Sequence, residues 1–147
     1  MAQPRILIIE APYYSHIAAE LMKGTKAALE EAQAQFDVVT VPGAFEIPAA
    51  IRFAALSKNP YDGYIALGCV IRGETTHYDY VCSESAHGLQ QLALEHKLAI
   101  GFGILTVENE DQALARARVD KKNKGGEAAK ACLAMVELKR RFGITTS

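Results

Sequence analysis

The sequence contains no tryptophan and is only 7% aromatic, with five Phe and six Tyr. A core without large rings has to be filled by aliphatic and small side chains, and 24 alanines among 147 residues provide them. Cysteine is also scarce. Cys69, Cys82 and Cys132 are odd in number, form no C-x-x-C pair and lie in apolar runs. This excludes a disulfide framework and fits buried thiols in a reducing compartment. Neither sign of charge dominates: 16 Lys and Arg against 17 Asp and Glu leave a net charge of −1. A general nucleic-acid or anionic-membrane binder carries a basic surplus, so both partner classes are excluded. No apolar stretch approaches the ~20 residues that a membrane-spanning helix requires. The opening Met-Ala-Gln-Pro-Arg passes into an apolar run without a leader pattern, so a cytoplasmic protein is expected. Mean hydropathy, at +0.02, is high for so short a chain and hints at apolar surface committed to a subunit interface.

At this length a single domain over residues 1–147 is expected. Folding should bury roughly 68–70% of the unfolded chain's surface, enough to need no disulfide or metal. Four apolar runs, Ile6–Ile9, Phe36–Val41, Tyr64–Ile71 and Ile100–Val107, are near-continuous rather than alternating. That pattern belongs to strands buried on both faces of a parallel sheet. Between them, Ile17, Leu21, Ala28, Leu29 and Ala32 form one helical stripe, and Val81, Cys82, Leu89, Leu92 and Ala93 form another. Alternating strand and helix give an α/β layered domain with a central four-stranded parallel sheet and right-handed crossovers. The last helix, roughly Gly126 to Phe142, carries two apolar stripes, Ala129-Cys132-Leu133-Val136 and Ala128-Ala131-Met135-Leu138-Phe142. Two readings fit it: one broad core face, or one stripe for the sheet and one for a neighbouring subunit.

Ligands of open parallel sheets bind beyond the carboxyl ends of the strands, and three such junctions are unusual here. In Gly68-Cys-Val-Ile-Arg-Gly-Glu-Thr-Thr-His77 a buried strand ends in a glycine turn and a helix opens. Thr75 and Thr76 suit the cap, and the amides from Gly73 onward suit an anion. The spacing Gly68-x4-Gly73-Glu74-Thr75 approaches a nucleotide-binding loop, but Glu74 in place of lysine would repel the phosphates, which excludes an NTPase. His77 beside an anion site has the chemistry for general acid–base work, although a surface histidine is the blander alternative. His77, Cys82 and His87, five apart, share no helix face, so no metal is indicated. At the second junction, Val41-Pro-Gly-Ala-Phe-Glu-Ile-Pro48, a forced turn projects Ala44, Phe45 and Glu46. At the third, Tyr13 and Tyr14 follow the first strand, where one ring could cover a planar heterocycle or both could simply pack. A basic run of Arg116, Arg118, Lys121, Lys122 and Lys124 precedes Gly125-Gly126 and is either a solvated face or a phosphate contact.

Four segments in register resemble the lumazine synthase family of riboflavin biosynthesis: Pro42–Pro48, Gly68–Val81, Phe102–Leu105 and Asn123–Ala128. The resemblance implies a flavodoxin-like three-layer sandwich. It implies condensation of 5-amino-6-(D-ribitylamino)uracil with 3,4-dihydroxy-2-butanone 4-phosphate to 6,7-dimethyl-8-ribityllumazine, phosphate and water, with no cofactor or metal. His77 then matches the proton-transfer histidine. Gly73, Glu74 and Thr75 match the phosphate-binding turn, and Arg116 matches the arginine that clamps the same phosphate. Tyr13 matches the aromatic stacked on the pyrimidine, where Phe or Trp is more usual. Ala44, Phe45 and Glu46 match the ribityl-contacting segment, and Cys69, Val70 and Ile71 line the pyrimidine. Phe102 and Lys124 match residues given by an adjacent subunit, with Glu127 near them.

Ala115 stands where an acidic residue often precedes the arginine. The segment from Arg116 to Asn123 lacks a glycine kink, and with the short N-terminal arm this leads to the expectation of a homopentamer or paired pentamers rather than a sixty-subunit shell. The resemblance also admits riboflavin synthase as a partner. Two rival readings are a non-catalytic lumazine- or flavin-binding paralogue and an FMN-carrying electron carrier of similar fold. The second wants an acidic surface that the balanced charge does not supply.

Overall fold

The computed structural model describes residues 2–144. Four strands, β1 (Arg5–Glu10), β2 (Gln35–Thr40), β3 (Gly63–Ile71) and β4 (Ile100–Val107), form one parallel sheet in the order β2-β1-β3-β4. Five helices surround it: α1 (Ser15–Glu31), α2 (Ile47–Ala55), α3 (His77–His96), α4 (Glu110–Ala117) and α5 (Lys124–Arg141). A single 3-10 turn, Ala44–Glu46, leads into α2, with Pro48 in the helix's first turn where its missing N–H is harmless.

The two-residue repeat of a strand divides the core. Ile6, Ile8, Ile65 and Leu67 face one layer, where they pack with Leu21 and Leu29 of α1 and Ala129 and Cys132 of α5. Leu7, Ile9, Tyr64 and Ala66 face the other, against Ile47 and Ile51 of α2 and Leu89 and Leu92 of α3. The result is a three-layer α/β sandwich, and each fully buried Ile or Leu stabilises it by about 1.5–3 kcal/mol.

The alanine and glycine content has a definite use. A Cβ on Gly101 of β4 would lie 2.1 Å from the Ala128 carbonyl oxygen, and one on Gly125 would lie 2.1 Å from the Leu21 carbonyl oxygen. The backbone of α5 therefore rests directly on β4 and on α1. The buried Thr25 hydroxyl joins the second contact, 2.8 Å from Leu21 O and 3.0 Å from Gly125 O.

Three expectations need correcting. The strand at 35–40 is not buried on both faces: β2 is an edge strand, with Val38 38% and Val39 40% exposed. Among the described residues its lone neighbour is β1, in the register Ile6 to Phe36, and an apolar run cannot by itself report which strand lies at a sheet's edge. The basic run is not one segment either, since Arg116 lies in α4 and Lys124 opens α5, with Arg118–Lys122 in the turn between. Ala32, assigned to the α1 stripe, caps that helix's C-terminus and is exposed. On α5, the Ala129-Cys132-Val136 stripe is buried, whereas Ala131, Met135, Leu138 and Phe142 are exposed.

Candidate active site

The chain adds β2 on one side of β1 and β3 on the other, and such a switch point in strand order opens a crevice at the carboxyl ends of the strands. One lies there, about 280 Å³ in volume, with Tyr13, Ala44, Cys69, Val70, Ile71 and His77 on its walls. Tyr13 is 76% exposed and meets Tyr14 edge to face, with ring centroids 4.9 Å apart, so its outer face is free to stack.

His77 is the first residue of α3, and its backbone N–H donates to the Thr75 hydroxyl oxygen at 3.3 Å. Thr75, not Thr76, therefore satisfies an orphan amide of this helix start; Thr76 holds the N-cap position without a side-chain hydrogen bond. Gly73 has open space where a Cβ would be, with no heavy atom of the described residues within 4 Å. Gly73, Glu74 and Thr75 are exposed on the turn before α3, as are Phe45 and Glu46 on the 3-10 turn that carries Ala44. Burial pushes the Cys69 thiol up to about 12, with smaller contributions from Cys82 and Glu110. It is thus a neutral wall of the crevice, not a nucleophile. Burial also raises the Cys82 thiol above its ordinary range.

A second crevice, about 250 Å³, opens beside β4 and is lined by Phe102, Leu105, Thr106, Arg116, Lys124 and Glu127. Asn109 starts α4 by accepting the Gln112 N–H at 2.9 Å, and the half-buried Arg116 near its end donates from Nη1 to Gln112 O at 3.0 Å. Asn123, in the left-handed region at φ 47°, starts α5 by accepting the Gly126 N–H at 3.3 Å. The next residue, Lys124, pairs with Glu127 at 3.1 Å. Two cations and one carboxylate so arranged leave a net positive crevice suited to an anion.

Nine of the sequence-predicted residues fall into two groups, while Phe45, Glu46, Gly73, Glu74 and Thr75 line neither crevice. Tyr13, Ala44, Cys69, Val70, Ile71 and His77 share one crevice, whereas Phe102, Arg116 and Lys124 share the other. Tyr14, the second ring of the pair after β1, also lines the first crevice, and so do Gly43 and Val81, which were missed. Val81 stands four residues after His77, on the same helix face, a spacing that could have identified it. Phe102 has a further neighbourhood: with Leu89, Leu94, Leu98 and Met135 it borders an apolar groove of about 610 Å³ between α3 and α5.

A profile of the 6,7-dimethyl-8-ribityllumazine synthase family matches residues 3–140. A 6,7-dimethyl-8-ribityllumazine synthase of Bartonella tribocorum is 57% identical over 141 residues, 96% of this chain and 93% of the relative. Proteins of the same name from Sphingopyxis alaskensis and Agrobacterium fabrum are 57% and 54% identical, covering 95% and 97% of this chain and 97% and 99% of their own. On these matches, and with the motif-bearing junctions gathered at the ends of a parallel sheet, the chain belongs to the 6,7-dimethyl-8-ribityllumazine synthase family.

Proposed function

We propose that the two crevices are halves of one active site, completed when the His77 crevice of one copy meets the Arg116–Lys124 crevice of the next. The two surfaces differ, so the contact is head to tail, and head-to-tail contacts that close make rings. A homopentamer, alone or paired, is such a ring. The exposed stripe of α5 and the apolar groove beside Phe102 are the surfaces it would cover. The observation that carries this reading is the division itself: the imidazole and the cation pair lie in separate crevices of one chain.

The assembled site condenses 5-amino-6-(D-ribitylamino)uracil with 3,4-dihydroxy-2-butanone 4-phosphate. Tyr13 stacks on the pyrimidine, with Cys69, Val70 and Ile71 along its edge and Ala44, Phe45 and Glu46 along the ribityl chain. Phe102 closes over the ring from the neighbouring copy. The backbone amides of Gly73, Glu74 and Thr75 before the helix and the side chains of Arg116 and Lys124 across from them hold the phosphate.

The 5-amino nitrogen attacks the ketone carbon to give a carbinolamine, which loses water to an imine. Loss of a proton from carbon expels inorganic phosphate from the neighbouring position, taking the C–O bonding pair with it. The enol this leaves takes up a proton on the former phosphate-bearing carbon and becomes a ketone, the ribityl-bearing nitrogen attacks that new carbonyl, and a second dehydration closes the ring. Each step moves a proton, so His77 serves repeatedly as donor and acceptor. Holding two reactants in contact supplies much of the acceleration, and the cations stabilise the phosphate as it departs. No metal or organic cofactor enters any step. In this reading the enzyme works in the cytoplasm, and riboflavin synthase, which takes the lumazine, is its macromolecular partner.

The test is to mix the purified protein with both substrates and follow lumazine fluorescence, with light scattering for the assembly. Product above the spontaneous rate is expected. Ligand binding without turnover would instead make the protein a lumazine-binding paralogue.

A further inference from the structure

Arg72 stands between the end of β3 and the turn that delivers His77. Its backbone N–H donates to Val107 O at 2.9 Å, extending the β3–β4 ladder past the last residue of β3. Its guanidinium Nε lies 3.0 and 2.8 Å from the two carboxylate oxygens of Glu108, just beyond β4. Nη2 lies 3.5 Å from Asp79 Oδ1, and the guanidinium carbon sits 4.4 Å above the centre of the Tyr78 ring. One planar cation therefore fastens two strand ends to the first turn of α3, where Tyr78 and Asp79 directly follow His77.

The turn between has little of its own to hold it. Residues 73–77 are exposed, and Gly73 has open space around it. The hydrogen bonds that shape this stretch are local, from the His77 N–H to the Thr75 hydroxyl at 3.3 Å and from the Asp79 N–H to Thr76 O at 3.0 Å. They shape the turn but do not tie it to the sheet.

We propose that Arg72 is a positioning residue for His77, holding the helix start against the sheet through Glu108, Asp79 and the Tyr78 ring. An arginine beside a glycine turn offers itself as a phosphate ligand. Here two carboxylates already flank the guanidinium, so the cluster is net negative and disfavours a second anion. Arg116 differs, because its partner is a neutral carbonyl and among the described residues it makes no ion pair. The inference rests on the reading of His77 as the proton-transfer group.

The test measures kcat and both KM values on assembled protein for Arg72→Ala, Arg72→Lys, His77→Ala and the double variant Arg72→Ala/His77→Ala. Misplacing a catalytic group is expected to lower kcat roughly 10-fold in Arg72→Ala, with KM for the phosphorylated substrate changed by less than about 2-fold. The double variant is expected to be no slower than His77→Ala, because a positioning residue has nothing left to position. Arg72→Lys keeps the charge but not the fork or the plane, and recovers part of the loss. If Arg72→Ala does not fold, Glu108→Gln loosens one arm of the clamp and should show a smaller loss with the same non-additivity.

Losses that multiply in the double variant would overturn the inference, as would a raised KM for the phosphorylated substrate at unchanged kcat, the mark of a phosphate ligand. An unchanged kcat in His77→Ala would remove the active-site reading and this inference with it. A slow His77→Ala joined to a multiplicative double variant would remove this inference alone.

Discussion

The two crevices of this chain are built from opposite materials. The one beside β3 is walled by neutral groups, a tyrosine face, an alanine, a protonated thiol and strand backbone, with a single imidazole at its edge. The one beside β4 is walled by cations set at the two ends of the α4–α5 connection. The first is shaped for a flat neutral group, and the charge of the second suits an anion. The lesson is that the imidazole and the cation pair are kept apart within one chain, and in the proposed head-to-tail assembly they meet only between copies.

Substitutions on each side should therefore fail differently. His77→Ala should lower kcat roughly 100-fold, the lower end for a general acid–base group, since proximity of the reactants survives the change. Steady-state kinetics by lumazine fluorescence checks this, and an unchanged kcat would assign the proton transfers elsewhere. Arg116→Ala should raise KM for the phosphorylated substrate roughly 10-fold, the size of one lost charge-assisted hydrogen bond, and leave KM for the pyrimidine unchanged. Equal rises in both KM values would break the division.

A mixture sharpens the comparison further. Equal amounts of the two variants, unfolded and reassembled together and assayed with the phosphorylated substrate well below its KM, should regain roughly a quarter of wild-type activity, because in a head-to-tail ring one site in four then pairs two intact halves. No recovery in reassembled rings would place both residues in one copy's site.

A smaller effect is expected from Gly125→Ala, whose methyl would press on the Leu21 carbonyl at 2.1 Å. Overpacking of this kind should destabilise the fold by about 1–3 kcal/mol. It should also raise KM for the phosphorylated substrate through the displaced Lys124 while sparing the Tyr13 crevice. Thermal unfolding and the two KM values test it together. The smallest effect concerns Cys69. Its thiol is raised on folding to about 12, so the stabilisation is complete below the ordinary thiol range and is lost as pH climbs through about 12. Cys69→Ser cannot ionise there, and its urea midpoint should fall less than wild type's between about pH 9 and about pH 11.

Much of the molecule was legible in its residues, and the gaps have physical causes. Continuous apolar runs placed all four strands, because burial between two helix layers leaves no polar face to write. They misjudged β2, since lateral position in a sheet depends on strand order, which Val38 and Val39 do not encode. The helix at Glu110–Ala117 passed unremarked although Asn109 and two acidic residues in its first turn are ordinary start signals. Of the site, the junction motifs led to His77, Tyr13 and Ala44 because local turn chemistry fixes where a strand ends. That Arg116 lies in a different crevice from His77 was not readable, for the separation runs across the sheet rather than along the chain. Arg72 escaped notice for a related reason. Its partner Glu108 is 36 residues away, brought near by strand register alone.

The glycines under α5 bear on how such a site can change over generations. Where Gly101 meets the Ala128 carbonyl, backbone lies on backbone, and there is no rotamer to adjust and no volume to trade. Drift in that layer is closed in one direction, since every replacement adds atoms. The shape of the cationic crevice is then inherited with the fold. New ligand preferences have to be tuned through the exposed side chains at its rim, Phe102, Thr106 and Glu127, which can be exchanged without moving a helix.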